Sequence, residues 1–176
     1  MNIYSVIILR TIHIFSSVLW VGSAISYLFF VEPTVKSLGP GAPKFMKNFI
    51  EKHRYSQYMS IVSFLTILTG VLLFWNSSGG LQISWIKTGP GVGFTIGSLA
   101  SLLVFLLGML MIRPRAERMG ALGKEIEESG NPPNPSQMTE MQKLDKELST
   151  LGRADVILLV IALLTMVTAR YWGLLT

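Results

Sequence analysis

The chain contains no cysteine, only two histidines and few charged residues, and each shortage excludes a class of function. Without cysteine there is no disulfide, no thiolate zinc site, no iron–sulfur cluster and no cysteine nucleophile. A bound metal would need histidine, methionine, tyrosine, carboxylate or backbone ligands. The sequence also lacks a Gly-Lys-Ser/Thr phosphate loop, a Gly-x-Ser-x-Gly elbow and a His-Glu-x-x-His motif. These absences disfavour ATP-driven and hydrolytic activities.

Charged residues make up only 14% of the chain, whereas hydrophobic residues make up 50% and fall in long blocks. A helix needs roughly 20 apolar residues to cross about 30 Å of hydrocarbon. Four blocks pass this test, at about 6–31, 58–75, 92–112 and 156–172. We therefore expect an all-α integral membrane protein, with residues 1–176 forming a single membrane domain built as a four-helix transmembrane bundle.

The basic residues predict the orientation of this bundle. Twelve of the 15 Lys and Arg residues lie in the connections between spans one and two and between spans three and four. The positive-inside rule then places both termini outside, and residues 113–153 form a cytoplasmic helical hairpin. Pro132, Pro133 and Pro135 interrupt this hairpin, and Ser136 is a candidate cap for its second helix. The net charge of +5 thus reflects topology in a bacterial inner membrane, and the partner it indicates is the lipid bilayer, with no nucleic acid.

The first span carries ionisable residues, which are functional candidates by default when they lie inside a membrane. His13 shares one stripe of the helix with Arg10 and Trp20. The last span runs in the opposite direction, so that Met166 and Arg170 reach about the same depth at 1.5 Å per residue. We therefore predict a layer formed by these five residues and Tyr171 near the outer surface.

This layer suits haem b. An imidazole and a thioether are common axial ligands, and guanidinium groups match the carboxylates of the propionates. His13 is then the ligand of the iron and Met166 the weaker candidate opposite it, with the arginines at the propionates. The alternative is that His13 is hydrogen-bonded to a carbonyl or serine of a neighbouring helix, that Met166 fills a gap and that the arginines extend to the interface.

Other motifs have simpler interpretations. His53 lies at the predicted cytoplasmic end of span two, far in depth from His13, and is expected to be solvated. Gly93, Gly97 and Ser101 form a small-residue series that favours close helix packing, either within the bundle or with other membrane subunits or a second copy. The aromatic residues near the predicted interfaces suit an aromatic belt: Tyr55, Tyr58, Trp75, Trp85, Tyr171 and Trp172.

The pattern His13-x6-Trp20-x-Gly22, with Glu32-Pro33 ending the first span and Ala169-Arg170-Tyr171 closing the last, resembles a group of small four-helix bacterial membrane proteins. The group includes CopD-like copper-resistance proteins and DUF2269-type proteins, with a more distant likeness to HemJ-type protoporphyrinogen oxidases. The HemJ likeness implies haem b at His13, although this chain lacks the further Arg and His which that family carries near the end of the first helix.

The CopD likeness implies copper instead, with His13 and methionines as soft ligands for Cu(I). Three functions follow as expectations. The first is a haem-b-binding redox or electron-transport protein, alone or as a subunit of a larger complex. The second is transport of copper or a small solute through the same layer, and the third is a structural accessory subunit. Whether the protein is an enzyme stays open at this point.

Overall fold

The computed structural model describes residues 1–174, except for the side chain of Pro40, and this part of the chain contains helices and no strands. The α-helices are α1 Ile3–Ser26, α2 Glu32–Ser37, α3 Ala42–Lys47, α4 Tyr55–Ser77, α5 Ile83–Ile86, α6 Gly89–Leu107, α7 Arg113–Ser129 and α8 Pro135–Thr168. Three π-helical segments, Tyr27–Val31, Asn48–Lys52 and Gly108–Ile112, and two 3₁₀ segments, Gly39–Gly41 and Ala169–Leu174, lie between or after them. The all-α expectation is confirmed.

Four helical stretches are long and apolar enough to cross a membrane: Ile3–Ser37, Tyr55–Ser77, Gly89–Ser129 and Pro135–Leu174. They contain the four spans expected from the sequence, and three of them continue well beyond the apolar residues. Large apolar side chains such as Ile7, Phe15, Phe64, Leu103 and Val167 are exposed on their surfaces. The helices therefore present the apolar surface that lipid contact requires.

Two of the π-helical segments have an identifiable cause in the sequence. Tyr27–Val31 is followed by Glu32-Pro33, and Gly108–Ile112 by Arg113-Pro114. Proline has no N–H to donate and its ring clashes with the carbonyl four residues earlier, so an uninterrupted α-helix cannot continue through it. A local π turn, with i→i+5 hydrogen bonds, accommodates the proline while the chain stays helical. Both segments lie at the end of an apolar span.

The residues divide into two compact units. The first, which we call the apolar unit, comprises Met1–Val21, Ile61–Phe105 and Ile157–Thr176. Within it, α6 packs closely on the last helical stretch, since a Cβ added at Gly93 would lie 2.8 Å from Cβ of Ala169. Of the two possibilities for the small-residue series, close packing inside the chain is thus observed.

The second, which we call the polar unit, comprises Gly22–Ser60 and Leu106–Val156. Its core contains Met46, Ile50, Met119 and Leu144. Glycines on α7 allow α3 and the segment after it to approach: a Cβ at Gly123 would lie 2.5 Å from the carbonyl oxygen of Pro43. Ion pairs such as Arg118 with Glu125 and Glu140 join α7 to itself and to α8. The predicted helical hairpin is present as α7 and α8.

The structure corrects the expected start of the second hairpin helix. Helix α8 begins at Pro135, and the residue before it, Asn134, is the cap. Asn134 Oδ1 accepts a hydrogen bond from the Gln137 amide at 2.8 Å, and Gln137 Oε1 accepts one from the Asn134 amide at 3.0 Å. This reciprocal pair is a capping box. Ser136 lies inside the first turn and does not cap the helix.

Candidate functional site

His13 lies half-buried on α1 and is held by α4. Its Nδ1 is 2.9 Å from the carbonyl oxygen of Thr66 and 3.2 Å from Thr69 Oγ1. Because a carbonyl oxygen can only accept, Nδ1 carries the proton and donates it. Nε2 is then the unprotonated nitrogen with a free lone pair in the neutral ring, and it makes no hydrogen bond within residues 1–174. This is the tautomer in which an imidazole binds a metal through Nε2.

The hydroxyl groups around the imidazole are also satisfied. Thr66 Oγ1 donates to Ser16 Oγ at 2.9 Å, and Ser16 Oγ in turn donates to the carbonyl of Ile12 at 2.8 Å. Thr69 Oγ1 donates to the carbonyl of Leu65 at 2.6 Å, which leaves its lone pairs for the His13 N–H. In an apolar surrounding, unpaired polar groups are costly, and this network leaves none of these hydroxyls unpaired.

Gly70 gives the imidazole room against the backbone of α4. A Cβ at this position would lie only 2.9 Å from His13 Cε1 and 3.4 Å from Nδ1. Real Cβ atoms do not approach a ring atom so closely, so any larger residue would push the imidazole away from the Thr66 carbonyl. Thr66, Thr69 and Gly70 therefore position His13, and the sequence interpretation did not include them.

The other residues of the predicted layer have different surroundings. Met166 packs against α6, since a Cβ at Gly97 would lie 2.6 Å from Met166 Cγ. Trp20 is buried, with 4% of its surface exposed. Arg10 and Arg170 are exposed, and neither forms an ion pair with any described residue. The hydrogen bonds of His13 thus lead to the second span, and not to the last span that the depth argument proposed.

The two histidines differ sharply. His53 is exposed and follows the π-helical segment Asn48–Lys52. Its backbone N–H donates a hydrogen bond to the carbonyl oxygen of Asn48 at 2.9 Å. Its ring makes no hydrogen bond or ion pair with another part of residues 1–174. Within that range, no three His, Cys, Asp or Glu side chains are grouped so that they could hold a metal ion. A metal at His13 would therefore need ligands of another type.

A cluster of aromatic side chains lies in the polar unit. Tyr55 packs against Phe49 in a tilted arrangement, with ring centroids 4.3 Å apart, and it stacks on Tyr27 at 5.9 Å. The Tyr55 hydroxyl donates to the carbonyl of Ser23 at 3.1 Å, and the Tyr58 hydroxyl lies 3.1 Å from Ser23 Oγ. Tyr55 and Tyr58, which the sequence predicts to lie in an aromatic belt, thus contact other aromatic side chains, and their own ring centroids are 6.1 Å apart. Their place relative to a membrane interface stays a prediction.

Comparisons of the chain with protein-family models, with curated proteins and with solved structures found no match. The likeness to CopD-like, DUF2269-type and HemJ-type proteins stays a prediction from the motifs quoted above. The proposed function therefore depends on the geometry around His13. The single protonated nitrogen of His13 is its most specific element.

Proposed function

We propose that this membrane protein binds haem b through Nε2 of His13 and takes part in electron transfer within the membrane. The observation that supports this proposal is the hydrogen bond from Nδ1 to the Thr66 carbonyl. Ligating histidines almost always donate their other ring N–H to a carbonyl, a carboxylate or water, because that bond fixes the tautomer and makes the ligand more basic. The bond from His13 to Thr66 is of this kind.

The residues present fit such a group. His13 would supply one nitrogen ligand, and Arg10, one turn earlier on α1, is an exposed cation without a partner among the described residues. Arg170 is equally exposed and unpaired. Both are suited to propionate carboxylates, which guanidinium groups bind in a bidentate manner. Met166 would be the candidate for a second ligand, because its thioether is the soft ligand on the last span.

When bound, haem b would supply one-electron chemistry between ferrous and ferric iron. The chain's own contribution is orientation and exclusion of water. Thr66 and Thr69 hold the imidazole plane, Gly70 gives it space, and the apolar surfaces of the spans keep the surroundings dry. The same nitrogen and a methionine thioether would also suit Cu(I), so copper transport is the competing proposal.

A structural role is the third proposal, and one observation favours it. The bond from Nδ1 to Thr66 joins α1 to α4 and needs no ligand to do so. In that case His13 would stabilise helix packing in an accessory subunit, and its Nε2 would bind no metal. Replacing His13 would then reduce stability without any loss of a cofactor.

The visible spectrum distinguishes these proposals. The protein is purified in mild detergent from cells supplied with haem precursor, and oxidised and reduced spectra are recorded together with an elemental analysis for iron and copper. We expect a Soret band that H13A lacks and that H53A, the matched control at the other histidine, retains. Copper in place of iron would support transport. Wild-type protein with neither metal, both as purified and after incubation with haem or Cu(I), would support the structural role.

We further propose that both termini lie outside a bacterial inner membrane and that the α7–α8 hairpin lies in the cytoplasm. The support is the distribution of lysine and arginine under the positive-inside rule. The absence of cysteine makes the test simple, because a single introduced cysteine is the only thiol. An impermeant thiol reagent added to intact spheroplasts should label N2C and leave S129C unlabelled until the membrane is opened. The reverse pattern would invert the topology.

A further inference from the structure

Asp155 is a carboxyl group on the buried face of α8, immediately before the apolar run that begins at Val156. Only 7% of its surface is exposed. It lies four residues before Leu159 and seven after Leu148, and both leucines face the packed interior, with 2% exposure for Leu159. At helical spacing these three positions share one face. Asp155 thus occupies a position at which the flanking turns of α8 carry leucine.

None of the ion pairs among residues 1–174 includes Asp155. The nearest basic residue on its own helix, Arg153, acts on Glu32, which also pairs with Lys36 at 2.5 Å. Those charges are therefore engaged elsewhere in the polar unit.

The titratable group that interacts with Asp155 from α4 is Tyr55. The proton of the Tyr55 hydroxyl is directed at the Ser23 carbonyl, 3.1 Å away, so it is not available to stabilise a carboxylate. Tyr27, which stacks on Tyr55, and Tyr58, which bonds to Ser23 Oγ, complete the aromatic side of the cluster. The phenol that interacts with Asp155 therefore has its proton donated to another group.

A buried carboxylate without a cation or a set of donors is costly, and such a group takes up a proton instead. Burial raises the pKa of Asp155 to about 7. The geometry agrees with this direction. Leucines flank Asp155 on its helix, no described ion pair includes it, and the Tyr55 proton is donated to Ser23, and each of these disfavours the charged carboxylate. The pKa of Glu32 is shifted in the opposite direction. Burial alone would raise it, but hydrogen bonds with Lys36 and Ser149 hold it below the usual range.

We propose that Asp155 is a proton-binding site, which holds a proton in the folded protein and releases it as the surroundings become alkaline. Release creates a negative charge inside the polar unit at the end of the last apolar span. The packing of α8 at Asp155 thereby becomes sensitive to pH. This proposal stands apart from the haem proposal, since it involves neither His13 nor any metal.

The direction of the pH effect on stability follows from the pKa of Asp155 in the unfolded and the folded protein. In the unfolded chain the carboxyl group titrates near its ordinary value, whereas in the folded protein it keeps its proton to a higher pH. The stability contributed by this proton is complete below about pH 4 and is lost as the pH rises through the folded pKa of about 7. Alkaline solution should therefore weaken the wild-type protein more than a variant with a neutral side chain at this position.

The test compares thermal unfolding of the detergent-solubilised wild-type protein, D155N and D145N between about pH 5 and pH 8.5. Asp145 is the matched control, because it lies on the same helix but has an exposed side chain. We expect the melting temperatures of wild type and D145N to fall together as the pH rises. The melting temperature of D155N should stay flatter and should exceed that of wild type at the alkaline end. Parallel profiles for all three proteins would overturn the proposal.

Infrared spectroscopy provides a second test that needs no folded variant. At about pH 5.5 the exposed carboxyl groups are ionised, so a protonated carboxyl band reports on a group such as Asp155. We expect this band in the wild-type protein at that pH and its disappearance by about pH 8.5. If the band is absent at the lower pH, Asp155 is ionised in the folded protein and the proposal is wrong.

Discussion

The Nδ1 atom of His13 lies 2.9 Å from the carbonyl oxygen of Thr66, and this one distance determines which nitrogen of the ring is free. A histidine that faced only hydroxyl groups could adopt either tautomer, because a hydroxyl both donates and accepts. The carbonyl removes that choice. The free nitrogen is therefore a property of the fold, and it depends on α4 as much as on His13 itself.

Substituting Gly70 should displace the imidazole. In G70A the new Cβ would lie 2.9 Å from His13 Cε1, so the ring must move away from the Thr66 carbonyl. We expect a loss of about 1–3 kcal/mol in the free energy of unfolding, as for overpacked cores. G22A is the control within a membrane-spanning helix, because a Cβ there meets nothing within 4 Å. Thermal unfolding in detergent measures both, and equal melting temperatures for G70A and G22A would contradict this account of the contact.

The close approach of α6 to the last helical stretch should be similarly sensitive. A Cβ at Gly93 would lie 2.8 Å from Ala169 Cβ and 2.9 Å from its Cα, and neither atom can rotate away. We expect G93A to lower the free energy of unfolding by about 1–3 kcal/mol. G108A, on the same continuous helical stretch, has open space at its Cβ and should change stability by less than about 1 kcal/mol. A stable G93A protein would show that the two helices separate at low cost.

The ion pairs of Arg118 should make the stability of the polar unit depend on salt and acid. Its guanidinium group donates to both carboxylate oxygens of Glu140, at 2.7 and 2.9 Å, and to Glu125 at 2.7 Å. The hydrogen bond from Arg118 holds the pKa of Glu140 below its usual value. This contribution is therefore present above about pH 4.5 and is lost as the pH falls through the lowered folded pKa.

R118Q should accordingly melt at a lower temperature than wild type in dilute buffer near neutral pH. The difference should shrink at about 1 M salt, where charges are screened beyond about 3 Å, and on acidification. K124Q removes an equal charge from the same helix, and Lys124 forms no ion pair among residues 1–174. Its melting temperature should follow that of wild type. A salt-independent effect of R118Q would assign the loss to packing of the side chain.

The cap of α8 can be tested by two adjacent substitutions. N134A removes the oxygen that accepts the Gln137 amide hydrogen bond, and we expect a loss of about 1 kcal/mol. S136A removes a hydroxyl inside the first turn and should change stability by less than about 0.5 kcal/mol. Urea or thermal unfolding followed by circular dichroism measures both. A larger loss of stability for S136A than for N134A would show that Ser136, and not Asn134, caps α8.

Composition alone was sufficient for the four spans and for the α7–α8 hairpin, because a helix in hydrocarbon must be long, apolar and internally hydrogen-bonded. The neighbour of His13 could not be found in this way. The rise of 1.5 Å per residue predicts which residues lie at the same depth in the membrane, and it points to Met166 on the last span. Depth alone does not predict which helices are neighbours. The hydrogen bonds of His13 lead to Thr66 and Thr69 on the second span, not to the last span.

A signal for this pairing is nevertheless present in the sequence. Thr66, Thr69 and Gly70 are spaced by three and four residues, so they form a small and polar stripe on an otherwise apolar helix. Such a stripe favours close contact with another helix. The aromatic cluster had no equivalent signal, because Tyr55 and Tyr58 at the start of a span also match an interfacial belt. The sequence places Asp155 next to the apolar run that begins at Val156, and its spacing to Leu148 and Leu159 is consistent with its position on the buried face.

The π-helical segment Gly108–Ile112 has a consequence for the sequence that follows it. A π turn contains about one residue more than an α turn, and each residue turns an α-helix by about 100°. The residues after Ile112 are therefore out of phase with those before Gly108 along one continuous helical stretch. Gly120 and Gly123, which approach Ile50 and Pro43, belong to the part of the stretch that follows this offset. Deleting one residue here would shorten no loop; it would change the phase of every residue of α7 relative to Leu106 and Leu107 on the same helix.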